Sequence, residues 1–344
     1  MSKVALITGI GGQDGAYLAK FLLEQGYRVI GQYRDGEKPR TERLDELGVT
    51  QHIELVALDL FSVIELRHAL EKLRPDEIYN LAGKSSVANS IDQPMWALDV
   101  NAVAVARLIE AARLSIPGVR FYQASTSEMF GTAVDSPQDE TTPVRPRSPY
   151  AVSKAFSHWQ TVAYRESYGF FGACGIMFNH ESPLRGRQFV TRKITAGLAE
   201  VKHGRRDRIA LGNLDVQRDW GFAGDYVGGM WLALQRSTAS DYVFATGIAT
   251  PLRRFVELAA AGLDMRIDWR GSGTSEAGVD RKTGRAVVAV DPAFFRAADV
   301  AATVGDPSRA RRELGWRPTV DIENLVTMMV AADERRLIDD KVTT

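Results

Sequence analysis

The first half of the chain alternates short apolar, β-branched segments with segments whose apolar residues recur every three to four positions. Strands are predicted at residues 3–8, 28–33, 53–58, 77–81, 120–124 and 173–178, and helices at 17–25, 63–73, 101–114 and 149–164. A strand, a helix and a further strand at this spacing form a right-handed crossover between parallel strands. The pattern therefore predicts an α/β fold built on a doubly wound parallel sheet.

A glycine-rich turn follows the first predicted strand. Gly9, Gly12 and Gly15 are spaced Gly-x-x-Gly-x-x-Gly, with Gln13 and Asp14 between the last two, and a helix pattern follows. Glycines allow a tight turn in which backbone amides and the helix N-terminus approach a pyrophosphate. In this context the turn predicts the dinucleotide site of a Rossmann sheet, and the alternative is a turn that is only structural.

The end of the second strand indicates which dinucleotide binds. NAD-binding proteins usually place a carboxylate there for the ribose 2′-hydroxyl, but this chain has Arg34, whose guanidinium can pair with a 2′-phosphate. The neighbouring Asp35 is unfavourable beside a phosphate, and the alternative is a solvated surface loop. We predict NADP, with adenine resting near Asp59 and Leu60, which come just after the third strand.

The alternation of strands and helices breaks after residue 178. Glycine and arginine become frequent, and single apolar residues separate charged ones. Because doubly wound sheets bind ligands beyond the carboxyl ends of their strands, we expect a smaller α/β C-terminal substrate-binding domain there. The predicted division is an NADP-binding domain at 1–178 and a mainly substrate-binding domain at 179–330, with segments near 215–248 and 290–306 returning to the first.

Composition argues against several other classes of function. The 344 residues include 43 Lys and Arg and 43 Asp and Glu, and this balance does not favour nucleic-acid binding. A single cysteine, Cys174, excludes an intramolecular disulfide and a four-thiolate metal site. No signal peptide is recognisable, and no apolar run approaches the ~18 residues of a spanning helix. We expect a cytoplasmic protein that needs no metal, nucleic acid or membrane.

Tyr150 and Lys154 form a Tyr-x-x-x-Lys pair at the start of a predicted helix, after a possible N-cap at Ser148. Four residues on a helix place both side chains on one face, where the cation lowers the tyrosine pKa and allows it to act as a base. The alternative is an exposed helix pair. Together with the glycine-rich turn upstream, the pair indicates an extended short-chain dehydrogenase/reductase.

Thr126 and Glu128 follow the fifth predicted strand in the segment STSEMFG. The carboxyl end of a strand is where the chemistry lies in this architecture. Thr126 can hydrogen-bond a sugar hydroxyl or keto oxygen. Glu128 can remove a proton from one carbon and then protonate a leaving hydroxyl, a step that a simple reductase does not need. This indicates a dehydratase, and the alternative is a solvated Glu at a helix start.

Longer segments narrow the assignment further. In order, the chain contains GQDGAYLAKFLLEQGY, STSEMFG, ETTP, PRSPYAVSKA, FNHESP, RGRQFVTRKI, LGNLDVQRDWGFAGDYV, DYVFATG and GDPSRARRELGWRP. These segments resemble the GDP-mannose 4,6-dehydratase family, and the resemblance extends over roughly residues 3–318. FNHESP, FVTRKI and NLDVQRDWG distinguish that family from related sugar epimerases and from UDP- or TDP-sugar dehydratases.

The resemblance implies a role for each matching position. The implied catalytic residues are Thr126, Glu128, Tyr150 and Lys154. The implied cofactor-binding residues are Gly9, Gly12, Gln13, Asp14, Gly15, Arg34, Asp59, Leu60, Leu81, Ser85, Trp96, Lys154, His180 and Arg185. The implied substrate-binding residues are Ser85, Asn179, Lys193, Gly212, Asn213, Arg218 and Arg296.

The resemblance also implies a reaction. GDP-D-mannose would lose water to give GDP-4-keto-6-deoxy-D-mannose in an internal NADP(H) redox cycle, and the enzyme would be a homodimer or homotetramer. The family usually has Thr at position 11, Gln at 84, a bulkier residue at 86 and a small apolar one at 89. Here these are Gly11, Lys84, Ser86 and Asn89. They leave open a dehydratase or epimerase of another GDP-sugar, such as GDP-manno-heptose, and a catalytically silent nucleotide-binding protein is the third alternative.

Overall fold

The computed structural model describes residues 2–131, 136–294 and 302–342. The chain forms two compact units. Unit 1 comprises Met1–Phe178, Ala223–Phe244 and Gly305–Arg317, and unit 2 comprises Asn179–Phe222, Ala245–Val304 and Pro318–Thr344. The predicted domain assignment, 1–178 for NADP and 179–330 for the substrate, stays a prediction because a fold alone does not name a ligand.

The elements of the described residues are numbered in chain order. The strands are β1 (Val4–Thr8), β2 (Arg28–Tyr33), β3 (Ile53–Ala57), β4 (Glu77–Asn80), β5 (Arg120–Thr126), β6 (Gly172–Met177), β7 (Asn179–Glu181), β8 (Ile209–Leu211), β9 (Gln217–Arg218), β10 (Trp220–Phe222), β11 (Asp241–Phe244), β12 (Thr250–Pro251), β13 (Ile267–Arg270), β14 (Ala277–Asp280), β15 (Ala286–Val290) and β16 (Ala302–Thr303). The α-helices are α1 (Gln13–Glu24), α2 (Glu42–Glu46), α3 (Val63–Leu73), α4 (Val87–Asp92), α5 (Pro94–Leu98), α6 (Ala104–Ser115), α7 (Pro149–Tyr168), α8 (Val190–Lys202), α9 (Ala223–Gln235), α10 (Leu252–Ala261), α11 (Ser308–Leu314) and α12 (Ile322–Val342).

Unit 1 is built on a seven-stranded sheet in the order β11-β6-β5-β4-β1-β2-β3, and every neighbouring pair is parallel. The strand order reverses between β1 and β4, which confirms the predicted doubly wound sheet and marks the edge where such sheets bind ligands. The sequence pattern predicts six of these strands. It misses β11, whose four residues follow the point where the alternation breaks.

Helix ends differ from the sequence prediction for identifiable reasons. Helix α1 begins at Gln13, four residues early, because it starts inside the glycine-rich turn. Helix α6 begins at Ala104, three residues late, because Asp99–Val103 adopt a π-helical segment before it. Helix α7 continues past residue 164 to Tyr168 and ends where Gly169 adopts a left-handed conformation, with φ 65°.

The core of unit 1 explains why its strands consist mainly of apolar residues. Leu6, Ile30, Ile78 and Phe121 come from four neighbouring strands and are fully buried in one cluster. Helices α3 and α6 pack against each other and contribute apolar residues to the same cluster. A parallel sheet is covered on both faces, so its strands are buried on both sides rather than alternating. The polar residues that remain in these strands therefore need specific partners.

Unit 2 combines short sheets with three packed helices, α8, α10 and α12. Its largest sheet has the order β13-β14-β15-β8. A buried ion pair joins two of the helices: the Arg192 guanidinium donates to Asp333 at 2.6 Å, and the Thr195 hydroxyl donates to the other carboxylate oxygen at 2.7 Å. The same Asp333 carboxylate also pairs with Arg336 at 3.0 Å, so one buried carboxylate joins α8 to α12 through several contacts.

Helix length and hydropathy bear on the membrane expectation. Within residues 2–131, 136–294 and 302–342, no helix is both long enough and apolar enough to span a bilayer. The longest two, α7 and α12, carry charged residues along their length. The cytoplasmic location expected from the sequence stays a prediction.

Candidate active site

The glycine-rich turn is held by close backbone approach. Gly9 has φ +70°, and a Cβ there would lie 2.8 Å from the backbone nitrogen of Ala82. A Cβ on Gly15 would lie 2.6 Å from the carbonyl oxygen of Gly9. The Gly12 amide donates to that same carbonyl at 2.9 Å, and no side chain caps the N-terminus of α1. This narrow cradle, which side chains would fill, fits the pyrophosphate of a dinucleotide.

The glycine at position 11, where the family that this chain resembles usually has Thr, is explained by a steric contact. A Cβ on Gly11 would lie 2.6 Å from the carbonyl oxygen of Arg40, in the segment that follows β2. The Arg43 guanidinium donates to the Gly11 carbonyl at 2.9 Å. Glycine is therefore needed at position 11 because the loop after β2 packs directly against the glycine-rich turn. The sequence alone did not indicate this contact.

Arg34 lies directly after β2, and its guanidinium carbon is 4.4 Å from the centroid of the Trp96 ring. Arg34 also forms an ion pair with Glu37 at 3.1 Å. The Lys84 ammonium lies over the same ring at 5.7 Å. Two of the residues predicted to contact the cofactor, Arg34 and Trp96, are therefore brought together as a cation–π pair.

An aromatic platform continues beyond Trp96. The rings of Trp96 and Phe61 are 6.4 Å apart, and Asp59 accepts a hydrogen bond from the Phe61 amide at 2.9 Å. Asp59 and Leu60 follow β3, so they lie at the same edge of the sheet as the glycine-rich turn. Phe61 was not predicted, although an aromatic residue directly after Asp59 and Leu60 is a signal that could have found it.

The segment after β4 is held by a buried asparagine. Asn101 accepts a hydrogen bond from the Lys84 amide at 2.8 Å and donates to the Lys84 carbonyl at 3.2 Å. It also donates to the Ser153 hydroxyl on α7 at 3.2 Å. Leu81 and Ser85 flank this contact. Asn101 was missed because its position depends on the π-helical segment, which no sequence pattern indicated.

Tyr150 and Lys154 lie on the first turns of α7. The helix begins at Pro149, and the Ser148 hydroxyl accepts from the Ala151 amide at 3.1 Å, as predicted for an N-cap. Both Tyr150 and Lys154 are buried, at 8% and 7% exposed, which excludes the alternative of an exposed helix pair. Burial lowers the pKa of the Lys154 ammonium to about 8.

Thr126 is the last residue of β5 and is buried, and its hydroxyl accepts a hydrogen bond from the Glu128 amide at 3.3 Å. Glu128 lies in a 3₁₀ turn whose other residues, Ser127, Met129 and Phe130, are buried, whereas Glu128 itself is exposed. Helix α7 packs against both β5 and this turn. The fold of unit 1 therefore brings the four residues predicted to be catalytic into one region.

Apart from Arg296, the remaining predicted residues lie in unit 2. Asn179 and His180 are in β7, which pairs with β10. Arg185 forms an ion pair with Glu181 at 3.0 Å, and its guanidinium lies 3.7 Å from the centroid of the Phe189 ring.

The predicted substrate residues of unit 2 include one half-buried cation that lies against an aromatic ring. The Lys193 ammonium, on α8, lies 3.4 Å from the centroid of the Phe294 ring, and its pKa is lowered by burial. A Cβ on Gly212 would lie 2.5 Å from the Phe294 carbonyl oxygen, so Gly212 is required by that contact. Asn213 accepts from the Asp215 amide at 2.9 Å, and Arg218 donates to the Gln217 carbonyl at 2.9 Å. Arg296 lies outside the described residues.

Metal binding was not expected from the sequence. In the described ranges, which omit residues 132–135 and 295–301, no group of three or more His, Cys, Asp and Glu side chains is placed to hold a metal ion. That the reaction needs no metal stays a prediction.

Comparison with known proteins shows which family this chain belongs to. A family model described as GDP-mannose 4,6 dehydratase matches residues 6–329. The GDP-mannose 4,6-dehydratase of Vibrio cholerae serotype O1 is 46% identical, over 96% of this chain and 93% of that protein. The corresponding protein of Drosophila melanogaster is 45% identical, over 96% of this chain and 86% of its own length.

This chain belongs to the GDP-mannose 4,6-dehydratase family. The resemblance noted in its sequence is thereby confirmed.

Solved structures of other nucleotide-sugar enzymes share the fold of this family member. The dTDP-glucose 4,6-dehydratase DesIV from Streptomyces venezuelae, solved with NAD and TYD, superimposes with a TM-score of 0.80 at 21% identity, covering 96% of this chain and 97% of that one. The UDP-glucose 4-epimerase of Thermotoga maritima gives a TM-score of 0.81 at 20% identity, covering 97% and 99%. At these identities the likeness concerns the fold alone.

The departure from the family pattern at position 86 has a local structural explanation. The Ser86 hydroxyl accepts a hydrogen bond from the Asn89 amide at 3.2 Å, which makes Ser86 the N-cap of α4. The change at position 86 therefore stabilises a helix start within this family member. Lys84, in contrast, is exposed, and its only side-chain interaction among the described residues is with Trp96.

Proposed function

We propose that this chain is a GDP-mannose 4,6-dehydratase, a hydro-lyase that converts GDP-D-mannose to GDP-4-keto-6-deoxy-D-mannose and water. One observation carries the proposal within the family. Glu128 is a solvent-facing carboxylate on a buried turn at the carboxyl end of β5, and that turn packs against the helix that bears Tyr150 and Lys154. A redox step at C4 needs one base, for the hydroxyl proton. Dehydration needs a second acid–base group in the same site, for the proton on the neighbouring carbon.

The proposed cofactor is NADP. The cradle at Gly9, Gly12 and Gly15 would hold its pyrophosphate, and Arg34, stacked on Trp96, would pair with its 2′-phosphate. When bound, it supplies the acceptor for the hydride of C4 and the donor that returns a hydride to C6, so the overall reaction consumes none.

Tyr150 acts first in the proposed mechanism, because its phenolate takes the proton of the C4 hydroxyl. The ammonium of Lys154 favours this phenolate, and a pKa of about 8 leaves that ammonium mostly protonated at neutral pH. The Thr126 hydroxyl, at the end of β5, donates to the C4 oxygen as it becomes a ketone. Both groups are held by regular secondary structure, which fixes their positions.

Glu128 carries out the elimination. Once C4 is a ketone, the proton on C5 is acidic, and the Glu128 carboxylate removes it. The same proton then goes to the C6 hydroxyl, so that the C6–O bond breaks and water leaves. When the resulting double bond is reduced at C6, C5 takes up a proton, which balances the proton that Tyr150 removed from the C4 hydroxyl. Glu128 is exposed at the carboxyl end of β5, the edge of the sheet where the sugar is proposed to lie, so one carboxylate can serve both carbons.

The nucleotide is proposed to be recognised by residues of unit 2. Lys193 and Arg218 are cations suited to a diphosphate, and a local basic site is compatible with a net charge of zero over the whole chain. Lys193 is half-buried beside Phe294, and a bound anion would offset the partial loss of hydration that lowers the pKa of its ammonium. Asn179, Gly212, Asn213 and Arg296 are proposed to complete the substrate contacts.

Self-association is proposed from an apolar face of α7. Val152, Phe156 and Trp159 are 51%, 46% and 55% exposed and recur at helical spacing along one side of the helix. Large apolar side chains grouped in this way indicate a protein interface. A second copy of the chain that presents the same helix would cover this face in a symmetric dimer, the commonest form of homo-oligomer.

The first prediction concerns the reaction. Purified protein incubated with GDP-mannose and NADP should give a product lighter by one water, detected by mass spectrometry. A matched incubation with GDP-manno-heptose tests the alternative substrate, which stays open because Lys84 replaces the Gln that the family usually has. Turnover of the heptose without turnover of GDP-mannose would contradict the proposed substrate.

The second prediction concerns Glu128. Glu128→Gln keeps the size of the side chain but removes its base, so dehydration should fall by roughly 10²–10⁴-fold. Oxidation at C4 should survive and be visible as NADPH absorbance at 340 nm, because Tyr150 and Lys154 are unchanged. Glu42→Gln, an exposed change on α2, serves as the control. Undiminished water loss in Glu128→Gln would refute the role given to this carboxylate.

The third prediction concerns the cofactor. Arg34→Gln should weaken NADP binding by roughly 10- to 100-fold and change NAD binding less than about twofold, because only NADP has a 2′-phosphate. Arg28→Gln, at the other end of β2 and paired with Glu54, is the matched control. Titration calorimetry measures both cofactors. Equal losses for NADP and NAD would mean that Arg34 does not recognise the 2′-phosphate.

The fourth prediction concerns assembly. Phe156→Asp should shift the protein from an oligomer to a monomer in light scattering, because it places a charge in the proposed interface. Ile64→Asp on α3, where the side chain is 83% exposed, should leave the assembly unchanged. A monomeric parent protein, or an oligomer that tolerates Phe156→Asp, would rule out this interface.

A further inference from the structure

Four polar side chains cross the core of unit 1 in a row. Thr8, Asn80, Gln123 and Ser157 lie on β1, β4, β5 and α7, and none is more than 1% exposed. Burial of hydroxyl and amide groups costs free energy unless they are hydrogen-bonded. The reaction proposed above uses none of the four, so the presence of polar side chains at this depth has another reason in the fold.

The direction of the first bond in the row follows from its neighbours. The amides of Leu81 and Ala82 both donate to the Thr8 hydroxyl oxygen, at 3.2 and 3.1 Å. The Thr8 hydroxyl hydrogen is thereby directed to its third neighbour, the Asn80 Oδ1 atom, at 2.7 Å. This contact determines which way the Asn80 amide faces, because the opposite orientation would place two donors against each other.

The remaining bonds run in the same direction. Asn80 Nδ2 donates to Gln123 Oε1 at 2.8 Å. Gln123 Nε2 donates to the Ser157 hydroxyl at 3.4 Å, the longest contact in the row, and to the Ala124 carbonyl at 2.9 Å. The Ser157 hydroxyl donates to the backbone carbonyl of Lys154 at 3.0 Å. The row is therefore a head-to-tail chain of hydrogen bonds with one consistent arrangement.

The two ends of this row of hydrogen bonds lie at two parts of the candidate active site. At one end are the Leu81 and Ala82 amides, directly beside Gly9, where a Cβ would lie 2.8 Å from the Ala82 nitrogen. At the other end is the backbone of Lys154. The row of hydrogen bonds thus has two ends. One is the backbone at Leu81 and Ala82, against which the glycine-rich turn packs, and the other is the helix that carries Tyr150 and Lys154. Hydrogen bonds aligned head to tail polarise one another, so that the row behaves as a unit.

We propose that Thr8, Asn80, Gln123 and Ser157 are positioning residues that hold Lys154 in register with the backbone at Leu81 and Ala82. None of them contacts substrate or cofactor in this proposal. The effect on catalysis rests on the proposed function of Lys154, whereas the mechanical link between the two ends does not. A small displacement of α7 relative to β4 would misalign the base without removing it, and an error of about 1 Å can cost 10²-fold in rate.

The mechanical link is tested by hydrogen exchange. Gln123→Met keeps the shape of the side chain and breaks the row of hydrogen bonds in its middle. The amides of Leu81 and Ala82 should then exchange at least about threefold faster, although they donate to Thr8 and not to residue 123. Thr161→Val is the matched control. It also removes a buried hydroxyl from α7, one that donates to the Ser157 carbonyl at 2.8 Å and does not join the chain.

Unchanged exchange at residues 81 and 82 in Gln123→Met, or an equal acceleration in Thr161→Val, would overturn the link. If Gln123→Met does not fold, Ser157→Ala breaks the chain one bond further along, and the same comparison applies. This experiment needs no turnover, so it decides the link even if GDP-mannose is not the substrate.

The kinetic consequence is tested with the conservative variant at the head of the chain. Thr8→Val and Gln123→Met should each lower kcat by roughly 10-fold, with KM for GDP-mannose within about twofold. Thr8→Ser keeps the hydroxyl and should retain most of the parent rate. Because both breaks interrupt the same chain, the double variant should be little slower than either single one.

If the decreases in kcat multiply in the double variant, or if Thr161→Val lowers kcat to a similar extent, the four residues contribute only to stability. Either result would overturn the positioning role. A parent protein that fails to dehydrate GDP-mannose would count against the proposed function instead, since the hydrogen-exchange result stands apart from it.

Discussion

The close approach of two backbone segments in unit 1 determines much of the site. Gly9 packs against Ala82 with no room for a side chain, so the turn after β1 and the segment after β4 form one surface at the point where the strand order reverses. An opening at this edge of the sheet follows from the topology, because the helices after β1 and β4 leave in opposite directions. The glycines are therefore a condition of the packing as well as of pyrophosphate binding, and both requirements fall on the same residues.

The sequence was informative where one residue type satisfies a steric or electrostatic rule. The glycine spacing, the helix N-cap at Ser148 and the Tyr150–Lys154 pair each predicted local structure that the fold contains. Six of the seven parallel strands were recognised because buried parallel strands are continuous apolar runs. The roles of the site residues remain predictions, since geometry places side chains together without showing what they bind.

Other features depend on contacts that no local pattern encodes. The π-helical segment at Asp99–Val103 sets the position of Asn101, and the loop carbonyl of Arg40 explains Gly11. Strand β11 has four residues and pairs with β6 only after the chain has passed through unit 2. The hydrogen-bonded row from Thr8 to Ser157 draws on four elements. Each member taken singly looks like an ordinary polar residue in a strand or helix.

Burial of Lys154 shows how stability and chemistry are balanced at this site. Its pKa of about 8 lies below the ordinary value of 10.5, since burial disfavours the ammonium. A group with a depressed pKa binds fewer protons when folded, so between pH 8 and 10.5 the unfolded chain holds more protons and stability rises with pH. Below that window the buried charge costs about 3 kcal/mol. The proposed mechanism needs this ammonium beside Tyr150 at neutral pH, and a helix held in register by buried hydrogen bonds keeps it there.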